Sequence, residues 1–326
     1  MLSVGILGQG AYLPSKRLTN FDLEKMVDTS DEWIRTRTGI RERRIASPHE
    51  KTSDLAAKAA QRALKDAGVG ASQVGLIIVA SISPDSNFPS MACKVQKAIG
   101  AKKAAAFDLS AACSGYLFAM TTAKQYIQTG LCKYALVIAA ERISGLIDWQ
   151  NRDTCVLFGD GAGACVLGRV KSRGITADFL QAFGGQGDLM KVVNEETRSP
   201  FHPGKTAHGK LPYVVMQGQE LFKIAVNSMA DAVEAVLKKA KVKKKDVDCI
   251  VPHQANDRII SAVAKKLKVP KDKIFINIDK YGNMSAASIA VALYEAKKFK
   301  RIKKGDTVVM VAFGAGLVSA ANVIKW

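Results

Sequence analysis

The second half of this 326-residue chain runs through the same order of sequence patterns as the first. In the first half a helical pattern over residues 54–67, stopped by Gly68, precedes the apolar run 74–81. Ala106-Phe107-Asp108 then leads through small residues into a helical pattern after Cys113. In the second half a helical pattern over 229–240 precedes the apolar run 247–251, and 274–277 leads through a small-residue turn into a helical pattern over 286–298. Phe158-Gly159-Asp160-Gly161-Ala162-Gly163 is echoed by Phe313-Gly314-Ala315-Gly316. Strands and helices that alternate and repeat in this way predict an α/β fold of two duplicated βαβ halves, 1–172 and 173–326, packed about a pseudo-twofold axis. The repeat is imperfect, because 178–212 is a polar, Gly-rich insertion in the second half. Locally, Asn20 is expected to cap a helix running towards Asp31. Residues 33–44 read as a basic loop, and 156–167 as two strands meeting at a Gly-rich turn.

The repeat gives Cys113 its significance. An apolar stretch ends at Leu109, small residues follow, and a helix begins. A thiolate at a helix N-terminus is stabilised by outward N–H groups and the helix dipole. A free Cys at such a strand–helix corner equally reads as a small buried hydrophobe. The repeat makes Asn283 the counterpart of Cys113 and places His253 after the strand matching 74–81. All three then sit at carboxyl ends of strands, where α/β folds bind ligands. A thiolate can attack a carbonyl carbon and form a thioester, an imidazole can assist, and an amide donates without titrating. Alone, His253 reads as a core histidine and Asn283, after Gly282, as a turn residue. Cys-His-Asn also serves papain-like proteases, but no protease signature surrounds Cys113 and a duplicated α/β pattern does not suit that fold.

Composition narrows the partners. The 48 Lys and Arg against 29 Asp and Glu give a formal charge of +19. That balance fits nucleic acid, an anionic membrane, an acidic protein or polyphosphate ligand, or simply a lysine-rich soluble surface. The lysines cluster at 238–245, 265–273 and 297–304 without interleaved aromatic residues, which argues against nucleic acid. The apolar runs are too short to span a bilayer, and no secretory leader pattern opens the chain. The expectation is a cytoplasmic, soluble protein with no membrane partner. Six scattered cysteines without CxxC spacing and four histidines form no metal-ligand pattern or disulfide framework. Trp33 among Arg35, Arg37, Arg41, Arg43 and Arg44 suits phosphate forks and purine stacking. A solvated basic loop fits the same residues.

Taken together, Asp31-Glu32-Trp33-Ile34, Arg37-Thr38-Gly39-Ile40-Arg41-Glu42-Arg43, Ala111-Ala112-Cys113-Ser114-Gly115, Phe158-Gly159-Asp160-Gly161-Ala162-Gly163, Val251-Pro252-His253-Gln254-Ala255-Asn256, Gly282-Asn283-Met284-Ser285-Ala286-Ala287-Ser288 and Phe313-Gly314-Ala315-Gly316 closely resemble the β-ketoacyl-acyl-carrier-protein synthase III family, in that family's order and over nearly the whole chain. The resemblance implies a thiolase-like fold in five layers, αβαβα, a homodimer, and no cofactor or metal. Acyl-CoA and malonyl-acyl-carrier protein would be the substrates. Cys113 would carry the acyl group, with backbone N–H groups of Cys113 and Ala315 as oxyanion hole. His253 and Asn283 would hold the malonyl thioester oxygen during decarboxylation. Asn at the third position favours the initiating enzymes over elongating synthases, which resemble Cys-His-His, and over thiolases with a second catalytic Cys. Thr29, Trp33, Arg37, Arg152 and Asn256 would bind CoA. Gln254, Ala255, Asn256, Asp257 and Arg258, with Lys223, Lys265 and Lys266, would meet the acidic carrier protein. Phe88 would close the partner's acyl pocket and restrict it to short primers.

Two departures stand out: Ala315 replaces a glycine usual in the family, and 178–212 differs in length and composition. Related Cys-His-Asn enzymes stay open as alternatives, of the polyketide, long-chain or 3-hydroxy-3-methylglutaryl-CoA type. The last needs a Glu near the Cys, which Glu141 could supply only if the fold brings it in. A non-catalytic acyl or carrier-protein binding module fits the intact triad poorly.

Overall fold

The computed structural model describes residues 2–192, 198–199, 202–203 and 213–326. Five strands build a first sheet: β1 (Val4–Tyr12), β2 (Leu76–Ala80), β3 (Ala105–Leu109), β4 (Tyr134–Arg142) and β5 (Asp160–Arg169). Their spatial order is β1-β5-β4-β2-β3. Here β2 runs parallel to β3 and β4, while β5 is antiparallel to β1 and β4. Four strands build the second: β6 (Gly174–Ala182), β7 (Cys249–Pro252), β8 (Thr307–Gly314) and β9 (Val318–Lys325). Their order is β7-β8-β9-β6, with β7 parallel to β8 and the other pairs antiparallel. Read from the antiparallel edge, the two sheets have the same topology. Where the first has β3, the second has only a single parallel bridge between Ile250 and Ile274.

Among the described residues α1 (Asp31–Thr38) packs against α6 (Asp257–Leu267), and six helices cover the sheets: α2 (Thr52–Ala67), α3 (Met91–Ile99), α4 (Gly115–Gln128), α5 (Gly218–Ala240), α6 and α7 (Ala286–Lys298). Period-two alternation on the strands separates the layers. Leu76, Ile78, Ala135, Val137 and Cys165 face α4 and α7, as do Cys249, Val251, Val308 and Met310 from the second sheet. Ile77, Val79, Leu136 and Ile138 face α2 and α3, while Ile250, Val309 and Val311 face α5 and α6. The inner strands β2, β4 and β8 are buried on both faces, so they read as continuous apolar runs. The layers run α2/α3, first sheet, α4/α7, second sheet, α5/α6.

Several local expectations change. Thr19, not Asn20, caps the first short helix, its hydroxyl accepting from Asp22 N–H. Asn20 is instead buried, its amide donating to Asp31 and to the Ile40 carbonyl. That helix ends at Glu24, and the first part of the basic stretch is a separate helix, α1, capped by Ser30. Residues 160–169 are one strand rather than two. Residues 274–277 form no strand, because the Gln254 side chain takes the ladder partner's place: it donates to the Phe275 carbonyl and accepts from Asn277 N–H. The segment read as an insertion begins inside the second sheet, since Asp178 and Phe179 pair with Asn322 and Ala321 in β9. Met190–Val192 then pairs with Val214–Met216. Most of 193–212, His208 included, lies outside the described residues.

Candidate active site

Cys113 stands in a single 3-10 turn, Ala112–Ser114, between β3 and α4. Ala112 enters it with φ +44°, in the left-handed region. The second sheet closes on this turn through a glycine: a Cβ on Gly314 would lie 2.7 Å from the Cys113 nitrogen. Cys113 is only 4% exposed. Burial pushes its thiol up to about 12, the nearby Glu141 carboxylate adds to the rise, and the Ser285 hydroxyl offsets part of it. Burial thus opposes the lowering of the thiol pKa expected from the helix start.

His253 follows β7, which it extends by donating its N–H to the Val311 carbonyl at 2.7 Å. Its ring is buried and Nδ1 has no hydrogen-bond partner. Burial pushes its pKa down to about 3, so the imidazole is neutral rather than a resident cation.

Asn283 lies in the loop before α7, stitched to the first half. Its N–H donates to the Leu157 carbonyl at 2.8 Å, and its own carbonyl accepts from Gly159 N–H at 3.0 Å. Glycines let this contact close. A Cβ on Gly159 would lie 2.4 Å from the Tyr281 carbonyl oxygen, and on Gly161, 2.6 Å from the Met284 sulfur. The Asn283 Oδ1 accepts from Ser285 N–H at 2.8 Å. That bond fixes the amide orientation and leaves the NH2 group as the available donor.

Cys113, His253 and Asn283 line one cavity of ≈ 630 Å³, together with Phe313, Gly314 and, towards the opening, Trp33, Arg37, Asn256 and Arg258. The Arg37 and Arg152 guanidinium carbons lie 4.9 and 5.1 Å from the Trp33 ring centre. Trp33 thus already carries two planar cations of the kind that hold phosphates and stack on purines. Arg152 also donates to the Asp28 carbonyl, and the Thr29 hydroxyl beside it is buried without a partner. Lys223 and Ala255 line the cavity as well. Asp257 lies 3.8 Å from the Lys271 ammonium, and Lys265 and Lys266 are exposed on α6.

Gln254 does not reach the surface, and Phe88 and Ala315 do not line this chain's own cavity. Gln254 is 1% exposed and its amide is fully engaged within the fold, so it cannot meet a protein partner. Phe88 is 86% exposed and lies outside this chain's cavity. Ala315 sits in the β8–β9 turn, and Gly314 rather than Ala315 lines the cavity beside Cys113. Arg43 is also not a ligand group: it is fully buried and donates to Leu18, Asn20 and Val156, which ties the ribbon of Lys16–Thr19 and Glu42–Ile45 to the cavity wall. Met190 and Met229 line the cavity without having been foreseen. Single methionines at long sequence separation leave no local signal.

Two family models match the chain. One, described as 3-oxoacyl-[acyl-carrier-protein (ACP)] synthase III, covers residues 107–184, and its C-terminal counterpart covers 237–326. The β-ketoacyl-[acyl-carrier-protein] synthase III of Caldanaerobacter subterraneus subsp. tengcongensis is 53% identical over 326 residues, covering 100% of this chain and 98% of that protein. The chain belongs to the β-ketoacyl-[acyl-carrier-protein] synthase III family. The family enzyme of Clostridioides difficile is 50% identical over 99% of this chain and 98% of its own. The crystal structure of 3-oxoacyl-[acyl-carrier-protein] synthase III from Aquifex aeolicus superposes with a TM-score of 0.93 at 48% identity, covering 99% of this chain and 100% of that one. The priming β-ketosynthase of the R1128 polyketide pathway superposes with a TM-score of 0.93 at 33% identity, over 99% of this chain and 96% of its own. The synthase III fold is thus the thiolase-like one expected from the motifs. The alignment with the Caldanaerobacter enzyme spans 326 residues and the whole of this chain, so these two proteins do not differ by a large segment at 178–212.

Proposed function

We propose that this protein initiates type II fatty-acid synthesis by condensing a short acyl-CoA, acetyl-CoA first among them, with malonyl-acyl-carrier protein. The observation that carries the reading is the convergence of a buried thiol, a neutral imidazole and an oriented amide at one cavity whose opening bears Trp33 and Arg37. It is an acyltransferase of two stages. Cys113 attacks the thioester carbonyl, the tetrahedral oxyanion is held by backbone N–H groups of Cys113 and Ala315, and CoA leaves. Malonyl-acyl-carrier protein then enters. His253 and Asn283 donate to its thioester oxygen, so loss of CO2 leaves a stabilised enolate. Its carbon attacks the acyl-Cys113 carbonyl, and the Cys113 sulfur departs from the 3-oxoacyl product. Decarboxylation makes the carbanion, so no strong base is needed. That suits a histidine that burial keeps neutral down to about pH 3.

Thr29, Trp33, Arg37, Arg152 and Asn256 bind CoA. Arg258, Lys223, Lys265 and Lys266 receive the acidic carrier protein. We read the chain as two halves meeting near 172/173, which the confinement of the two sheets to Val4–Arg169 and Gly174–Lys325 supports. The same reading makes it a cytoplasmic homodimer in which Phe88, exposed here, serves the partner's pocket. Among the described residues no helix is long and apolar enough to cross a membrane. The likeness to the R1128 enzyme favours polyketide priming as the second reading.

Incubation with radiolabelled acetyl-, isobutyryl- and octanoyl-CoA tests both. We expect acetyl label on the wild type and none on Cys113→Ala. No label on the wild type, or undiminished label on Cys113→Ala, would sink the assignment. Preferential octanoyl labelling would favour the second reading.

A further inference from the structure

Glu295 is the one acidic residue of α7, and it is buried in the layer between the two sheets. A carboxyl group there is costly unless it is hydrogen-bonded, and both of its oxygens have a partner. Oε1 accepts from the Tyr281 hydroxyl at 2.6 Å and Oε2 from the Asn277 side-chain amide at 3.0 Å. Tyr281 and Asn277 are buried as well, and each leads to a different side of the cavity. Only Gly282 separates Tyr281 from Asn283. Gly282 stands at φ +64°, and its N–H donates to the Ile278 carbonyl at 2.9 Å. On the other limb, Asn277 N–H donates to the Gln254 Oε1 at 2.9 Å. The Gln254 amide nitrogen donates in turn to the Pro252 carbonyl at 2.8 Å and the Phe275 carbonyl at 3.2 Å. Pro252 and Gln254 are the chain neighbours of His253, so these bonds bracket it. Glu295 therefore ties the His253 side of the cavity to the Asn283 side, and none of these bonds involves Cys113.

We propose that Glu295 is a positioning residue for the decarboxylation half-reaction, which sets the spacing of His253 and Asn283 through Asn277 and Tyr281. It touches no substrate and moves no proton. The role rests on the two-stage reaction proposed above, in which both side chains donate to one thioester oxygen. Two donors aimed at one atom tolerate little relative displacement: a misplacement of about 1 Å can cost about a hundredfold in rate. A carboxyl group suits the task because its two oxygens are held at a fixed separation on a helix, so one rigid group anchors both limbs. The Asn283 limb is braced from the opposite side too, since a Cβ on Gly159 would lie 2.4 Å from the Tyr281 carbonyl oxygen. Acyl transfer to Cys113 needs neither limb, which is what separates this role from general support of the fold.

The two half-reactions are measured apart on the same preparations. Acetyl loading of Cys113 is followed with labelled acetyl-CoA. The pre-acetylated enzyme is then mixed with malonyl-carrier protein labelled in its free carboxyl, and CO2 release is followed over one turnover. Glu295→Ala leaves the Tyr281 hydroxyl and the Asn277 amide without their acceptor. It should slow CO2 release by about tenfold or more, with acetyl loading and the KM for malonyl-carrier protein unchanged. Glu295→Gln can accept from Tyr281 through its oxygen and donate to Asn277 once that amide has turned over, so it should restore most of the rate. Tyr281→Phe removes a single hydroxyl, leaves no void, and decides the matter if Glu295→Ala does not fold. It should slow CO2 release by about fivefold, the worth of one hydrogen bond, again without touching acetyl loading. Three results overturn the role: equal loss in both half-reactions, CO2 release at the wild-type rate in Tyr281→Phe, or a Glu295→Gln variant as slow as Glu295→Ala. A wild type that releases no CO2 overturns the proposed reaction, and this role with it. A wild type that releases CO2 beside variants that match it overturns the role alone.

Discussion

The His253 imidazole stays neutral in the fold down to about pH 3, although an exposed histidine takes a proton near 6.5. The unfolded chain therefore binds an extra proton between those values, and stability is lost as pH falls through that window. The cost approaches about 1.4 kcal/mol per pH unit below 6.5. Glu141 has the opposite sign: its carboxyl is raised from 4.5 to about 7, so its contribution is lost as pH rises through that range. Urea unfolding of wild type and His253→Gln separates them. Their stability difference should shift against the wild type as pH drops from 6.5 towards 3, and a difference independent of pH would show that the imidazole is not held neutral. The same physics explains what sequence could and could not say about Cys113. Its place at a strand–helix corner was legible, because small residues interrupt an apolar run. Its protonation was not. Burial lifts the thiol from 9.0 to about 12, worth about 4 kcal/mol at 1.36 kcal/mol per pH unit, whereas a helix N-terminus returns at most ~2 kcal/mol.

At the level of elements, the glycines of 159–163 were misread for a clear reason. A Gly-rich stretch signals a turn more often than a strand, and only the tertiary partner distinguishes them. Here Gly161 and Gly163 lie in β5, where missing side chains admit the Asn283 loop and α7: a Cβ on Gly163 would lie 2.6 Å from the Ala290 Cβ. Glycine within a strand marks such close approach. Gly159 just before β5 is the most consequential, since its N–H fixes the Asn283 carbonyl. Gly159→Ala must push back the Tyr281 backbone, 2.4 Å from the new Cβ, and overpacking of this kind costs about 1–3 kcal/mol. The strain falls on the loop that aims Asn283, and Cys113 belongs to a different element. We expect CO2 release from malonyl-carrier protein to fall at least about tenfold for each 1.4 kcal/mol of lost transition-state binding, with acetyl transfer to Cys113 reduced far less. Equal loss in both half-reactions would mean that the glycine supports the fold alone.

Across the whole molecule, the duplication was legible because the two halves repeat an order of patterns, and order survives divergence of side chains. The missing fifth strand of the second sheet was not legible, because a side chain, Gln254, replaces a backbone ladder there. Net charge was legible as a number but not as a location. Of the cations behind the +19 balance, Arg43 is buried structure and Arg37 and Arg152 are committed to Trp33. Lys223 and Arg258 remain at the cavity, with Lys265 and Lys266 exposed on the helix that carries Arg258. A carrier protein approaching that helix is attracted over roughly one Debye length, about 10 Å at 0.1 M salt. Its KM should therefore rise with ionic strength. Reversing both charges in Lys265→Glu/Lys266→Glu should raise KM for malonyl-carrier protein about tenfold at low salt and flatten its salt dependence, as expected for lost steering by surface charge. The value of kcat and the KM for acyl-CoA should stay unchanged, because neither lysine lines the cavity. If KM for the carrier protein responds neither to salt nor to the reversal, this face of α6 is not where the carrier protein docks, and the positive surface serves solubility alone.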